Sequence, residues 1–347
     1  MSIMVSFVCS LLLFVVIGAL SYLKSSKSTY DYLLANQDVS PFFVAMSAIA
    51  TNNSGYMFVG MIGYTYMYGL SSIWLLIGWF AGDFIASLFI HKKIRIAAGQ
   101  HSAMSYPELL CKWGNLKNRY LQIFMSLLLL TFLCVYAAAQ LKAGSKALHV
   151  IFSWNYSVGS FLGSLIVLIY CFAGGLRASV WTDVAQSCVM LLAMILLVIY
   201  SINKISGFYS FIHHLYQISP QYMSLFPPHN HFGHHADTFL FLIGWLFAGF
   251  GVVGQPHIMT RFMVMRSAEN IMRVRCYYYS WYIVFSILTI FAAFSTRILL
   301  PGIHTFDAEL ALPKLSLQLF PGALVGVTLA GLFSATMSTA DSQILAC

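Results

Sequence analysis

Several residues that can bind a cation or a small polar solute stand inside apolar segments of this sequence. Residues 51–55 read TNNSG within an apolar stretch, and Ser338 and Thr339 are adjacent in another. Amide, hydroxyl and backbone carbonyl oxygens are the ligands that hard cations prefer. Asp183 and Asp83 place carboxyl groups in further apolar segments, where an acid is costly and marks an ion, a partner or a cavity.

The composition requires these residues to lie in membrane helices. Of 347 residues, 60% are hydrophobic and 8% are charged, against about 25% charged in a typical soluble domain. Strict two-residue alternation is absent, so the pattern predicts an all-α polytopic membrane protein rather than a barrel. Nine spans are predicted, at residues 3–23, 40–66, 71–90, 120–141, 156–173, 179–203, 238–259, 277–299 and 319–347.

The positive charges indicate an orientation. With the N-terminus outside, thirteen of the eighteen Lys and Arg, Arg261 among them, fall on the cytoplasmic side. The net charge of +8 is therefore attributed to membrane topology, with the lipid bilayer and not nucleic acid as the partner. No Lys or Arg precedes the first span, which predicts a retained helix rather than a signal peptide.

Two spans are predicted to be broken helices. Residues 51–55 lie at the middle of the second span and favour leaving a helix. The seventh span contains Gly249, Gly251 and Gly254, and then Pro256, which removes a backbone hydrogen bond. The alternatives are a polar patch that joins two helices and two unrelated glycine-rich helices. Broken helices expose carbonyl oxygens that need partners inside the protein.

The two breaks lie five spans apart, which is typical of transporters built from inverted five-helix repeats. The sequence therefore predicts one membrane transport domain over residues 1–347. Residues 3–23 form an extra N-terminal helix, residues 40–203 the first repeat, and residues 238–347 the first three helices of the second. The second repeat is expected to be incomplete, as in a C-terminally truncated chain that transports poorly.

The motifs in these spans resemble the sodium:solute symporters, closest to the sodium/proline branch. The resemblance is carried in order by SAIATNNSGYMFVG, SYPELL, FAGGLRASVWTDVAQS, GFGVVGQPHIMTRFM and GLFSATMSTADSQILAC. It implies a leucine-transporter-like bundle in the bacterial inner membrane. It also implies sodium-coupled symport of a small organic solute, with an amino acid such as proline as the expected solute, and no enzymatic activity.

The resemblance also implies a set of ion ligands. For sodium, it indicates the carbonyl oxygens of Ala50, Asn53 and Ala335 and the hydroxyls of Ser338 and Thr339. For an ion path or second ion, it indicates Asp183, Asp341 and Ser342. Taken alone, a Ser–Thr pair more often bonds back to its own helix. Asp183 has a second interpretation as a residue that caps a helix start.

The solute is expected beside the two breaks. The residues implied are Asn52, Ser54, Gly55, Tyr56, Ala248, Val252 and Gln255. This sequence differs from the proline branch at residues that concern its specificity for proline. The branch has an acid where this sequence has Asn52, and it has Trp and Tyr where this sequence has Ala248 and Val252. Trp245 is expected on another face of the span.

Asp83, a histidine-rich stretch and the function itself each have more than one interpretation. Asp83 is a substrate or proton residue, or it lies at the cytoplasmic edge near Lys92 and Arg95, which is preferred. A histidine-rich stretch, residues 229–235, is a metal or pH-sensing site or, preferably, a solvated loop. The rival functions are proton-coupled symport and a non-transporting membrane sensor or anchor.

Overall fold

The computed structural model describes residues 1–24, 26, 28–116, 118–226, 233–302 and 305–347, and over these it is helical, with no strand. Fifteen helices are described, which are α1 (Ser2–Tyr22), α2 (Thr29–Leu34), α3 (Pro41–Asn53), α4 (Gly60–Tyr68), α5 (Ile73–Phe89), α6 (His91–His101), α7 (Tyr106–Trp113), α8 (Arg119–Phe152), α9 (Tyr156–Lys204), α10 (Phe208–Ile218), α11 (His234–Phe250), α12 (Pro256–Met263), α13 (Ile271–Leu299), α14 (Ala311–Leu319) and α15 (Gly322–Ala346). Short 3-10 segments connect some of them.

The helices account for all nine predicted spans. Among the described residues, seven helical segments are long and apolar enough to cross a membrane. The predicted span at 156–173 corresponds to the shorter apolar helix Tyr156–Ile169. The span at 40–66 is divided between α3 and α4. The all-α polytopic membrane architecture is thus confirmed.

Helix α9 contains two of the spans because it bends sharply at one residue. Gly175 has a φ of +55°, and a Cβ atom there would lie 2.4 Å from the carbonyl oxygen of Tyr32. A side chain at this position would be strained and would also clash. The glycine therefore separates the short helix Tyr156–Ile169 from Gly174–Lys204, which packs on α3 and α15.

Glycines also bring α5 and α11 into close contact. A Cβ atom on Gly82 would lie 2.0 Å from the carbonyl oxygen of Leu246, and one on Gly249 would lie 2.2 Å from that of Trp79. Such small residues allow membrane helices to approach closely. The contact fixes α5 against the segment that carries the second break.

The bundle is built around α15. In its most apolar stretch, 83% of the residues are buried within the protein, against 11% in α8 and in α11. α15 packs against α9, α8, α1 and α3. Its hydroxyl and carboxyl groups therefore face other helices rather than lipid, which is where membrane proteins place polar groups.

Candidate functional site

The first break follows α3. This helix ends at Asn53, Ser54 has a φ of +51°, and α4 begins at Gly60. The backbone N–H of Gly55 donates a hydrogen bond to Oε1 of Gln140 (2.9 Å), and a Cβ atom on Gly55 would lie 2.5 Å from the side chain of Thr336. The predicted break is confirmed, and Gln140 of α8 supplies one of the partners that the unwound backbone needs.

The second break follows α11. A 3-10 segment, Gly251–Gly254, leads to Gln255 in an extended conformation, and α12 begins at Pro256. The break is confirmed, but its predicted cause is corrected. Pro256 occupies the first helical position, where its missing N–H would have no intrahelical partner in any case. A Cβ atom on Gly251 or Gly254 would meet nothing within 4 Å, so packing requires neither glycine.

The end of α3 meets α15 at a group of oxygen atoms, which we call the α3–α15 junction: Ala50, Thr51, Ala335, Ser338 and Thr339. Ser338 Oγ donates to the carbonyl oxygen of Ala50 (3.2 Å), and Thr339 Oγ1 donates to that of Thr51 (3.0 Å). Both hydroxyls also approach the carbonyl oxygen of Ala335, at 3.3 and 3.1 Å. The two hydroxyls therefore bond both to their own helix and across to α3.

The junction is chemically suited to a small hard cation. Its hydroxyls and carbonyls are fully buried or nearly so, and the last turn of α3 leaves carbonyl oxygens without intrahelical donors. Of the residues expected to bind sodium, Ala50, Ala335, Ser338 and Thr339 are brought together by hydrogen bonds. Asn53 is buried at the end of α3, and its amide nitrogen makes no hydrogen bond. The sequence does not indicate the carbonyl of Thr51, because the carbonyl oxygens that α3 leaves free depend on where the helix ends.

A second buried polar group lies one helical turn along α15, and we call it the arginine cluster: Ser179, Asp183, Arg261, Asp341 and Ser342. Nη2 of Arg261 lies 3.3 Å from Oδ2 of Asp183 and 3.9 Å from Oδ1 of Asp341. The same nitrogen donates to Ser179 Oγ (2.6 Å) and Ser342 Oγ (2.5 Å). The cluster thus joins α9, α12 and α15 through one guanidinium group.

The junction and the arginine cluster are connected. Ser47 of α3 donates to Oδ2 of Asp183 (2.5 Å), and the hydroxyls of Thr51 and Ser342 lie 2.9 Å apart. Ser342 also donates to the carbonyl oxygen of Ser338 (2.6 Å). A line of polar groups therefore runs from the end of α3 through Ser342 and the guanidinium of Arg261 to Asp183.

The structure corrects two interpretations of this region. Arg261, which the charge count places with the cations of the cytoplasmic side, is 1% exposed and lies between two carboxyl groups inside the protein. Asp183 does not cap a helix start, because it lies well inside the segment Gly174–Lys204 and contacts α3 and α12. Sequence alone could not pair Arg261 with Asp183, since 78 residues separate them.

A central cavity of about 550 Å³ lies beside the two breaks. Five of the seven residues expected to contact a solute line it, namely Asn52, Ser54, Gly55, Tyr56 and Gln255. Ala248 and Val252 do not line it, and Val252 is fully buried, so the expectation for these two residues is wrong. Trp245, expected on another face, does line the cavity and supplies an aromatic surface from α11.

The cavity extends to charged residues that are partly exposed. Lys142, Lys146 and Glu309 belong to its lining, and Lys146 forms ion pairs with Asp307 (2.8 Å) and Glu309. Burial alone raises the pKa of Asp307, but the hydrogen bond and the charge of Lys146 outweigh this effect and hold the pKa below its ordinary value. The mouth of the cavity thus lies where α8 meets the loop before α14.

One wall of the cavity leads to Asp83. Nδ2 of Asn52 donates to the hydroxyl of Tyr278 (2.6 Å), and Tyr278 and Tyr279 lie beside the Asp83 carboxyl. Asp83 is fully buried, and among the described residues no Lys or Arg pairs with it. The preferred interpretation of Asp83 as an edge residue near Lys92 and Arg95 is therefore wrong; Arg95 donates instead to the carbonyl oxygen of Met265.

Only part of the histidine-rich stretch, residues 229–235, belongs to the described residues. His229 and His231 lie outside the described residues, while His213, His214 and His235 are exposed. Over the part of the chain that the structure describes, no group of three His, Cys, Asp or Glu side chains is arranged to hold a metal ion.

The fold and the site define a class of protein: a polytopic membrane protein of the leucine-transporter-like type, in which two broken helices meet beside a cavity. The chain belongs to the sodium:solute symporter family, whose sequence model matches residues 32–347. It is 28% identical to the sodium/proline symporter of Escherichia coli (strain K12) over 340 residues, covering 96% of this chain and 66% of that protein.

Further comparisons agree with this family. The chain is 30% identical to the sodium/proline symporter of Staphylococcus aureus (strain JH9), covering 96% of this chain and 64% of that protein. It thus spans about two thirds of the length of these relatives. The structure of a Na⁺-coupled sialic acid symporter in a substrate-bound outward-open state has the same fold, with a TM-score of 0.83 at 19% identity, covering 99% of this chain and 72% of that one.

Proposed function

We propose that this protein carries out sodium-coupled symport of a small organic solute. The observation that carries the proposal is the α3–α15 junction, where hydroxyls of Ser338 and Thr339 meet carbonyl oxygens at the end of a broken helix. The ion binds to the carbonyls of Ala50, Asn53 and Ala335 and to the two hydroxyls. The membership of the chain in the sodium:solute symporter family supports sodium as the coupling ion.

The solute binds in the central cavity, beside the ion. Asn52, Ser54 and Gln255 offer hydrogen bonds to it, while Tyr56 and Trp245 offer aromatic surface. Such a cavity, with polar groups that converge between apolar and aromatic walls, is typical of a small-molecule site. We propose an amino acid such as proline as the solute, because the relatives named above are sodium/proline symporters.

Coupling follows if sodium binds one access state more tightly than the other. Sodium at the junction holds α3 against α15. Because the unwound segment that follows α3 forms part of the cavity wall, the bound ion also fixes the shape of that wall. On release, we propose that the ion passes Asp183, Asp341 and Ser342, with Arg261 moving aside. The N-terminus lies outside in this proposal, so that the mouth near Lys146 faces outward and the arginine cluster faces the cytoplasm. Residues 40–203 are the first repeat, and residues 238–347 belong to the second.

Uptake into vesicles tests the proposal. The full-length protein is reconstituted, and uptake of labelled amino acids is measured with a sodium gradient and with choline in place of sodium at fixed pH. We expect uptake only with sodium, and its loss in Ser338→Ala plus Thr339→Ala. Equal uptake in sodium and in choline would contradict sodium coupling.

A second candidate, proton-coupled symport, is favoured by one observation. Asn52 contributes an amide to the cavity, and the buried carboxyl of Asp83 lies behind it, connected through Tyr278. Uptake in choline that follows a pH gradient would support this candidate.

A further inference from the structure

Asp83 is a buried carboxyl group that the sodium site does not use. It lies in α5, inside the membrane-spanning segment Gly60–Phe89, and is fully buried. Neither of its carboxyl oxygens has a hydrogen-bond partner at good geometry, and the hydroxyl of Tyr279 beside it has none either. A charged carboxylate without a partner is unfavourable in such surroundings.

The titratable groups around Asp83 come mainly from α13. Tyr278, Tyr279 and Tyr282 interact with its carboxyl. Arg275 interacts with Tyr279 and donates to the carbonyl oxygen of Ser87 (2.5 Å), and it forms no ion pair with Asp83. His91 of α6 stacks on Phe262, with ring centroids 3.7 Å apart.

In α6, Lys92 and Lys93 are exposed, and Arg95 donates to the carbonyl oxygen of Met265. The remaining elements that pack against α5 bring no titratable side chain. The facing part of α11 and the 3-10 segment after it, residues 242–254, contain none, and neither does Gly69–Ser72. Within the described residues, therefore, no cation neutralises Asp83.

The surroundings of Asp83 suit a proton better than a metal cation. Two carboxyl oxygens and a few phenol hydroxyls stand among aromatic rings, with Phe80 and Phe84 at 5.2 and 5.1 Å from the ring of Tyr279. A metal cation needs several oxygen ligands around it, as the α3–α15 junction offers, whereas a proton needs one. We propose that Asp83 is a proton-binding site, in which the protonated carboxyl donates a hydrogen bond to a tyrosine hydroxyl.

The bound proton is connected to the central cavity. Tyr278 accepts a hydrogen bond from Asn52, and both Asn52 and Tyr282 line the cavity. Ionisation of Asp83 draws the tyrosine hydroxyls toward the carboxylate and changes the wall on which the solute rests. This coupling to solute binding rests on the proposed transport function; the binding of the proton does not.

Infrared spectroscopy of the full-length protein tests the proton site directly. We expect a carbonyl stretching band of a protonated carboxylic acid at neutral pH that is lost in Asp83→Asn. The band should persist in the matched control Asp38→Asn, which alters an exposed carboxyl paired with Arg266. It should shift in Tyr278→Phe, which keeps the carboxyl and removes a hydroxyl beside it. Identical spectra of the wild type and Asp83→Asn would overturn the proposal.

A second measurement tests the connection to the cavity. Solute binding is titrated against pH in the wild type and in Asp83→Asn, whose amide mimics the neutral carboxyl. We expect the affinity of the wild type to fall as pH rises and that of the variant to be independent of pH over the same range. An unchanged pH dependence in the variant would overturn the connection. If no solute binds at all, the transport proposal fails, while the infrared result still decides the proton site.

Discussion

Asp183 and Asp83 are both fully buried in apolar helices, yet their surroundings differ. Asp183 lies against the guanidinium of Arg261 and accepts a hydrogen bond from Ser47, so it joins three helices. Asp83 has no cation beside it among the described residues and faces tyrosines next to the cavity. Burial therefore does not define the role of an acid in a membrane helix; its partners do. The first acid belongs to a cluster that joins helices and that we propose as the ion path, and the second belongs to the proposed proton site.

The largest expected effect comes from removing the cation of the arginine cluster. Arg261→Met leaves Asp183 and Asp341 buried without their guanidinium, and we expect a loss of about 3–5 kcal/mol in the free energy of unfolding. Unfolding in detergent by denaturant measures it. The matched control is Arg266→Met, whose partner Asp38 is exposed, with an expected loss below about 1 kcal/mol. Similar losses in the two variants would remove the distinction between the aspartates.

The next effect tests Asp183 itself. Asp183→Asn keeps the shape of the side chain but weakens its bonds to Arg261 and Ser47, while Asp341 still faces the guanidinium. We expect a loss of about 1.5–3 kcal/mol, the range for hydrogen bonds to charged groups, in the same unfolding experiment. A variant as stable as the wild type would show that the ion pair contributes nothing.

A smaller effect is expected at Asp83. If its carboxyl is protonated, Asp83→Asn replaces one neutral hydrogen-bonding group by another, and the stability changes by less than about 1 kcal/mol at neutral pH. The two Asp→Asn variants should therefore differ in the same assay. A larger loss in Asp83→Asn than in Asp183→Asn would reverse the comparison.

The smallest effect concerns an exposed acid. The pKa of Asp307 is held below its ordinary value by Lys146, so this pair stabilises the fold above the ordinary pKa of an aspartate. The contribution is lost as the pH falls through the lowered pKa. Asp307 is about half exposed, so the effect is small. As the pH falls through the lowered pKa, the difference in free energy of unfolding between the wild type and Lys146→Met should change by less than about 1 kcal/mol. Thermal unfolding at a series of pH values measures it.

The sequence predicts much of the fold because the signals are local. Apolar length identifies the spans, and the residues around Ser54 and Gly251 identify the two breaks without any tertiary information. The burial of Arg261 could not be predicted in this way, since an arginine near a span end has the same sequence signal whether it faces water or an acid. Likewise, the rotation of α11 that brings Trp245 rather than Ala248 to the cavity depends on packing against α5.

The sequence predicts only part of the candidate site, because the rest also depends on tertiary packing. Side-chain ligands such as Ser338 and Thr339 belong to motifs, whereas the carbonyl of Thr51 depends on where α3 ends. Asp83 was assigned to the membrane edge because nearby lysines and arginines follow it in sequence. Its true neighbours, Tyr278 and Tyr279, lie almost 200 residues away and are brought in by the packing of α13.

Binding of radioactive sodium to the purified full-length protein tests the central claim most directly. We expect saturable binding in the wild type and an affinity lower by about tenfold or more in Ser338→Ala plus Thr339→Ala, because each hydroxyl contributes an oxygen ligand to a cation. The matched control is Thr328→Ala plus Ser334→Ala, which removes two hydroxyls of α15 whose hydrogen bonds run to their own helix; it should bind sodium as the wild type does. Unchanged sodium affinity in Ser338→Ala plus Thr339→Ala would contradict the account.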